Sequence, residues 1–352
     1  MTSDASRDAL HALPARAGAC RVVRADRGAV LVVPADDLAA PAQRVGLDRD
    51  GLVPRADGTR VPPTVGDVVD VVPGDGTVPP QVVGVHERRT ALVRDTAGRT
   101  SLEQVMAANV DVVLVVEHLD PDPDPGRVER LLTLAWRSGA QPVVVLTKAD
   151  LVPDPAGMAA EVAAVAPGVD VHAVSVTQGT GLEPVRALLG PGVALVAVGP
   201  SGAGKSTLVN ALAGREVMAT GERRADGRGR HTTTHRELVP LAGGAVLVDT
   251  PGIRGVGLVA DEDALDATFS DVVALAARCR FRDCAHEAEP GCAVRAALES
   301  GELARRRYDS WLRLAREAAW QARRADARLA AQERARSRRI TRAHHRDVRP
   351  RS

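Results

Sequence analysis

From residue 18 to about residue 95 the apolar positions fall in short Val-rich runs: Arg21–Val23, Ala29–Val33, Val68–Val72 and Gln81–Val85. Gly51, Gly58, Gly66, Gly74 and Gly76, with Pro54, Pro62 and Pro63, supply turn signals between them. Short strands separated in this way predict a small all-β barrel or sandwich. After about residue 105 the texture changes. Apolar runs (Val110–Val116, Pro142–Leu146, Val171–Val174, Val193–Val198, Ala245–Val248) alternate with helical stretches (Arg127–Arg137, Gly157–Val165, Gly204–Leu212). That alternation predicts a mostly parallel sheet with helices on both faces. Residues 120–126 (DPDPDPG) read as a rigid acidic loop. Beyond about residue 258 strand signals stop, a short helical region surrounds a Cys/His cluster, and Gly301 onward reads as a long Ala/Arg-rich helix. The expected organisation is a flexible tail (1–17), a β-barrel (18–95), an α/β domain (96–257), a mostly helical domain (258–335) and a basic flexible tail (336–352).

Composition narrows the class. The chain has 352 residues, 45% hydrophobic and 26% charged, an ordinary soluble globular balance. Its apolar runs are far shorter than the ~20 residues of a membrane helix. The N-terminus shows no charged-then-apolar leader, so a cytoplasmic protein without a membrane partner is expected. Only six residues are aromatic (Trp136, Phe269, Phe281, Tyr308, Trp311, Trp320), which leaves none for base stacking before residue 136. Lys148 and Lys205 are the only lysines beside 44 arginines. Both fall inside nucleotide-type motifs, where a slender ammonium is not interchangeable with a planar guanidinium. Residues 303–352 carry 16 Arg against five acids, making the tail the electropositive end.

The phosphate-binding signal is Gly199-Pro-Ser201-Gly202-Ala203-Gly204-Lys205-Ser206-Thr207, which fits G-x-x-x-x-G-K-[ST] between an apolar strand and a helix. Glycines let backbone N–H groups wrap the phosphates, and the helix N-terminus adds partial positive charge. Lys205 is expected to reach the β- and γ-phosphate oxygens and Ser206 to ligate Mg²⁺. Val246-Leu-Val-Asp249-Thr250-Pro251-Gly252 follows, with Asp249 placed to hold Mg²⁺ and the Gly252 N–H to meet the γ-phosphate. Between the two lies a Gly- and Arg-rich stretch containing His231-Thr232-Thr233-Thr234-His235. A loop there would place Thr233 or Thr234 on Mg²⁺ only while the γ-phosphate is present.

Thr147-Lys148-Ala149-Asp150 sits at a strand end and resembles the guanine-recognition motif of GTPases, usually written N-K-x-D. A carboxylate there accepts the ring N–H and the exocyclic amine of guanine, which adenine does not offer. The Lys148 stem packs on the base, and Ser175-Val176 resembles the companion loop whose backbone N–H meets the base carbonyl. Thr147 replaces the usual Asn and lacks its amide donor, which predicts reduced affinity or guanine selectivity. The base motifs precede the phosphate loop, the reverse of the ordinary GTPase order, so the chain reads as a circularly permuted GTPase. Asp249 and its loop then feed directly into the C-terminal region.

Cys279, Cys284, His286 and Cys292 offer three thiolates and an imidazole, a closed tetrahedral set for one structural Zn²⁺. Cys20 is isolated and reads as an ordinary thiol. The permuted motifs, the run GRHTTTH and the segment CRFRDCAHEAEPGCAV together resemble the ribosome small subunit-dependent GTPase A family over about residues 18–335. The resemblance implies an N-terminal OB-fold, a permuted GTPase domain and a zinc-binding C-terminal domain. It further implies a cytoplasmic monomer that hydrolyses GTP to GDP late in small (30S) subunit assembly, stimulated by that subunit and bound to its rRNA. Ile253 stands where many GTPases place a water-orienting Gln, and the resemblance offers His231 for that role. Through residue 110 the chain has 13 Arg and 14 acids, so the Arg-rich tail is the better RNA candidate. The competing reading is an RNA- or ribosome-binding scaffold whose GTP site is regulatory and turns over slowly.

Overall fold

The computed structural model describes residues 18–74, 77–94, 104–218, 237–249 and 261–323. Seven strands form the N-terminal unit: β1 (Ala19–Asp26), β2 (Ala29–Pro34), β3 (Gln43–Gly46), the two-residue pair β4 (Val53–Pro54) and β5 (Arg60–Val61), β6 (Val68–Val72) and β7 (Gln81–Val85). The order β1-β2-β3-β7-β6 closes because β6 also pairs with β1. A five-stranded barrel results, with one parallel seam, Gly46 opposite Gln81 of β7. Its core is almost entirely valine: Val22, Val30, Val32, Val45, Val53, Val69, Val82 and Val85. Stiff β-branched side chains suit a pleated wall and fill a narrow lumen without aromatics. β3, β4 and β5 are elements the apolar pattern did not reveal, because each is short and mostly exposed.

A hairpin of β8 (Ala91–Arg94) and β9 (Gln104–Ala108) leads into the α/β unit. There β10 (Val112–His118), α1 (Pro125–Ser138), β11 (Gln141–Thr147), α2 (Pro155–Ala163), β12 (Asp170–Ala173), α3 (Glu183–Arg186), β13 (Ala194–Val198), α4 (Lys205–Ala213), β14 (Glu237–Pro240) and β15 (Val246–Asp249) follow in order. The sheet order is β12-β11-β10-β13-β15-β14; every pair is parallel except β14 on β15. β14 also meets β1 through Arg24 and Glu237, which joins barrel and sheet. Alternation on one strand shows why the sequence reads as unbroken apolar runs. Val113 and Val115 of β10 enter one core while Val112, Leu114 and Val116 enter the other, so both faces are covered.

α1 starts at Pro125, inside the stretch read as a loop: the Asp124 carboxylate caps the N–H groups of Gly126 and Arg127, and Pro125 gives up no needed donor. The C-terminal region brings α5 (Glu262–Thr268), α6 (Ser270–Ala276), α7 (Ala293–Ser300) and α8 (305–323). Gly301 is left-handed and ends α7, so the Arg-rich helix begins four residues later than the sequence pattern suggests. These helices share the α1 core through Phe269, Val272, Val294, Tyr308 and Leu314. They are also pinned by charge. Glu129 of α1 has no solvent exposure and accepts from Arg306 (2.8 and 3.1 Å) and Arg307 (2.9 Å), while Arg307 also reaches Asp271 at 2.7 Å.

Candidate functional site

The C-terminal ends of β10, β11, β12, β13 and β15 gather along one edge, where α/β sheets bind ligands. β13 ends at Val198, the loop Gly199–Gly204 turns, and α4 begins at Lys205. Gly199 has φ 150°, and a Cβ there would lie 2.0 Å from the Val116 carbonyl oxygen, so only glycine fits against β10. Gly204 is left-handed (φ 75°), and its virtual Cβ would stand 3.2 Å from Thr147 Oγ1. Ser201 and Gly202 are exposed on the rim, Ala203 is buried, and Ser206 and Thr207 lie in the first turn of α4. The Lys205 ammonium donates to the carbonyls of Gly199 (2.9 Å) and Pro200, folded over its own loop. Asp249 ends β15, the strand paired in parallel with β13.

The base-motif residues meet this loop from the neighbouring strand. Thr147, the last residue of β11, is buried. Its hydroxyl lies 2.8 Å from the Ala203 carbonyl of the phosphate loop and 3.2 Å from the Glu117 carbonyl of β10. A threonine at this place therefore reaches the phosphate loop with the one proton it has. Lys148 is left-handed (φ 62°) and its ammonium donates to the Asp120 carbonyl at 2.9 Å. The backbone then makes a single 3-10 turn, Ala149–Leu151, which carries Asp150. Ser175 Oγ donates to Asp150 Oδ1 at 2.6 Å and Thr177 Oγ1 to Oδ2 at 3.1 Å. The Ser175 hydrogen bond, joined by Asp150's own backbone N–H and by Thr177, holds this carboxyl below the usual aspartate range. Ser175 and Thr180 exchange backbone hydrogen bonds at 3.0 Å, closing the loop that presents half-buried Val176.

Thr147, Lys148, Asp150, Ser175 and the loop Gly199–Thr207 thus share one edge of the sheet. His231, Thr233, Thr234 and Gly252 lie outside the described residues. Sequence reasoning missed Thr177, although its place two residues after Ser175 on the same loop was a usable signal. It also missed the end of β10. The carbonyls of Val116, Glu117 and Asp120 line this edge, and a backbone carbonyl leaves no mark in a sequence.

The second site is the Cys/His cluster. One ligand atom from each of Cys279, Cys284, His286 and Cys292 lies within 4.8 Å of all the others. Cys279 Sγ is 3.9 Å from Cys292 Sγ, and His286 Nδ1 stands 3.6 and 3.5 Å from those two sulfurs. A tetrahedral Zn²⁺ with ordinary bond lengths would set sulfurs about 3.8 Å apart and sulfur and nitrogen about 3.6 Å apart. The donor set fits that ion through Nδ1. Burial, with the neighbouring thiols, pushes the Cys284 thiol up to about 11, which favours the protonated form when no cation is present. At Cys279 burial acts the same way but is outweighed by the backbone N–H groups of Val294 and Ala293, so that thiol is lowered. Cys292 also caps α7, accepting from the Arg295 N–H at 3.4 Å, and His286 stands beside the Trp311 ring of α8 at 6.1 Å.

Comparison with known proteins agrees with this geometry. A family model described as RsgA GTPase matches residues 85–259. The chain is 50% identical over 318 residues to the small ribosomal subunit biogenesis GTPase RsgA of Streptomyces avermitilis, covering 89% of this chain and 82% of that relative. It is 46% identical over 273 residues to RsgA 1 of Listeria monocytogenes, covering 77% of each. Among solved structures, YjeQ from Thermotoga maritima aligns with TM-score 0.62 at 25% identity, over 86% of this chain and 98% of that one. YloQ, a circularly permuted GTPase, has the same fold at TM-score 0.60 and 23% identity, over 86% of this chain and 95% of its own. With its motif order, its barrel, its Cys/His cluster and a relative half identical over most of both chains, this protein belongs to the RsgA family of circularly permuted GTPases.

Proposed function

We propose that this protein binds GTP, hydrolyses it to GDP and phosphate, and acts in biogenesis of the small ribosomal subunit. The observation that carries the reading is the 2.8 Å hydrogen bond from Thr147 to Ala203. It fastens the base motif to the phosphate loop although the chain reaches them in inverted order, 56 residues apart. Asp150, fixed by its two hydroxyl donors, accepts the N1–H and amino group of guanine. The Lys148 stem lies along the base. Since the Ser175 N–H is taken by Thr180, the Val176 N–H is the donor for the base carbonyl.

On the phosphate side, Lys205 exchanges its carbonyl partners for β- and γ-phosphate oxygens, while the backbone of Gly199–Thr207 wraps the chain of phosphates. Ser206 and Asp249 hold Mg²⁺, with Thr233 or Thr234 completing the set in the GTP state. Bound Mg²⁺ supplies charge neutralisation at the phosphates. Gly252 meets the γ-phosphate and His231 positions the attacking water. Cys279, Cys284, His286 and Cys292 hold one structural Zn²⁺ that fixes the fold of the C-terminal region. Functional units correspond to residues 18–95, 96–257 and 258–335, with flanking tails, and the protein works as a cytoplasmic monomer that contacts rRNA. Among the described residues no helix is long and apolar enough to cross a membrane.

The test is phosphate release from GTP with and without purified small ribosomal subunits. Acceleration by small but not large subunits is expected. Bound GTP that turns over slowly whether or not subunits are present would replace the enzyme with a GTP-regulated scaffold.

A further inference from the structure

One feature of the C-terminal region takes no part in nucleotide chemistry: an exposed aromatic ring on a fixed loop. Of the six aromatics, Phe269 and Tyr308 are buried and Trp136 and Trp311 half-buried; Trp320 on α8 is 49% exposed and Phe281, the one carried by a loop, 41%. Its loop is held from several sides. Phe281 lies between Cys279 and Cys284, two members of the metal-type cluster. The Arg280 N–H donates to the Gly291 carbonyl at 3.2 Å. The Glu289 carboxylate accepts from the backbone N–H groups of Ala285 (2.9 Å), Glu287 (2.9 Å) and Ala288 (3.1 Å), so its charge is turned onto the loop itself. Against such a scaffold an exposed phenyl ring is a presented surface.

Arginines flank the ring in the chain, with the exposed Glu287 standing further along the loop. Residues 278–284 hold three arginines and a single acid, Asp283. Arg278 pairs with Glu302, as Arg295 does with Glu299 and Arg305 with Asp309. Arg280 and Arg282 make no ion pair among the described residues, and the Arg280 guanidinium lies 5.5 Å over the Phe281 ring. An exposed ring with one guanidinium over it and a second, exposed arginine next in the chain fits an unstacked nucleobase with adjoining phosphates. A protein partner would need an apolar pocket and matching carboxylates together. A duplex offers phosphates but keeps its bases stacked inside.

We infer that the Arg280–Phe281–Arg282 knuckle is an RNA contact that stacks one unpaired base on Phe281 and meets the adjoining phosphates with Arg280 and Arg282. The inference rests on the small-subunit reading only for where the natural RNA lies, in a loop, bulge or single-stranded end. It is tested with zinc-loaded full-length protein against two probes, a labelled unstructured 12-nucleotide RNA and purified small subunits. Loss of one stacked base predicts that Phe281→Leu, which keeps an apolar side chain, binds both probes about 5- to 150-fold more weakly. Phe281→Trp retains binding, and RNA quenches the added indole fluorescence. Arg282→Gln lowers the salt slope of oligonucleotide binding by about 0.7, the share of one phosphate contact on a single strand. Wild-type binding by F281L on both probes overturns the inference, and if F281A alone is then weak, the surface takes an apolar protein segment instead. No oligonucleotide binding by the wild type also overturns it. Oligonucleotide binding that depends on Phe281, without any subunit binding, upholds the RNA contact and counts against the proposed function.

Discussion

Replacing Thr147 with valine separates the joining of the two nucleotide motifs from everything else at the site. Valine keeps the shape and branching of threonine, so the packing at the end of β11 is preserved and only the hydroxyl is lost. That hydroxyl has one proton and two acceptors, Ala203 O at 2.8 Å and Glu117 O at 3.2 Å. Ala203 has no solvent exposure, so its carbonyl loses a donor that water does not readily replace. Leaving a buried acceptor unmade costs about 1–3 kcal/mol, which is about 5- to 150-fold in an equilibrium constant. If the free loop relaxes to find another donor, nucleotide binding must pull it back, and the cost appears as weaker binding. GTP and GDP should weaken alike, because both use the phosphate loop. Thr147→Ser should recover most of the loss, since the hydroxyl returns. Titration with a fluorescent GTP analogue and with GDP, beside a thermal melt, provides the assay. A T147V protein that binds both nucleotides as tightly as the parent and melts at the same temperature would refute this reasoning. The hydroxyl would then be a bystander, and the replacement of the usual Asn by Thr would need another account.

Four further outcomes follow from the same geometry. Asp150→Asn should shift preference from GTP to XTP, read by competition binding. Because Ser175 and Thr177 lower the Asp150 pKa, the wild-type carboxylate stays ionised as pH falls past the ordinary value of about 3.9, so on its account GTP selectivity is flat from neutral pH down to that region and is lost only below it. Glu129→Gln leaves Arg306 and the almost fully buried Arg307 facing a neutral amide, and breaking a buried pair from one side costs about 3–5 kcal/mol, with Asp271 keeping the loss near the lower figure. Urea denaturation should show a lower midpoint at unchanged slope, and an unchanged midpoint would mean that the network contributes nothing net. Cys284→Ser should abolish the equimolar zinc measured by elemental analysis in the wild type; a folded, metal-free wild type would refute the zinc assignment.

The order of motifs was legible because phosphate and base recognition each need particular residue types at fixed spacing, and Lys148 and Lys205 flag both in a chain otherwise rich in arginine. The alternation of apolar runs with helices was legible because both faces of the sheet are covered. Strands β3, β4 and β5 were not, since they are short and mostly exposed and owe their place to pairing, β3 with β2 and β7 and β4 with β5. The start of α8 was misread because an Ala/Arg-rich pattern looks helical on both sides of the left-handed Gly301.

Within the candidate sites, the sequence by itself determined which chemical groups are present: the Asp150 carboxylate, the Lys205 ammonium, three thiols and an imidazole. It could do so because chemistry is carried by side-chain identity. Only the tertiary structure decided how Thr147 behaves, because a hydroxyl's worth depends on which carbonyl stands within about 3 Å of it. It alone paired Glu129 with Arg307 across 178 residues, left Phe281 exposed and laid the Arg280 guanidinium over its ring. Those are facts of distance and burial, which a linear order of residues does not contain.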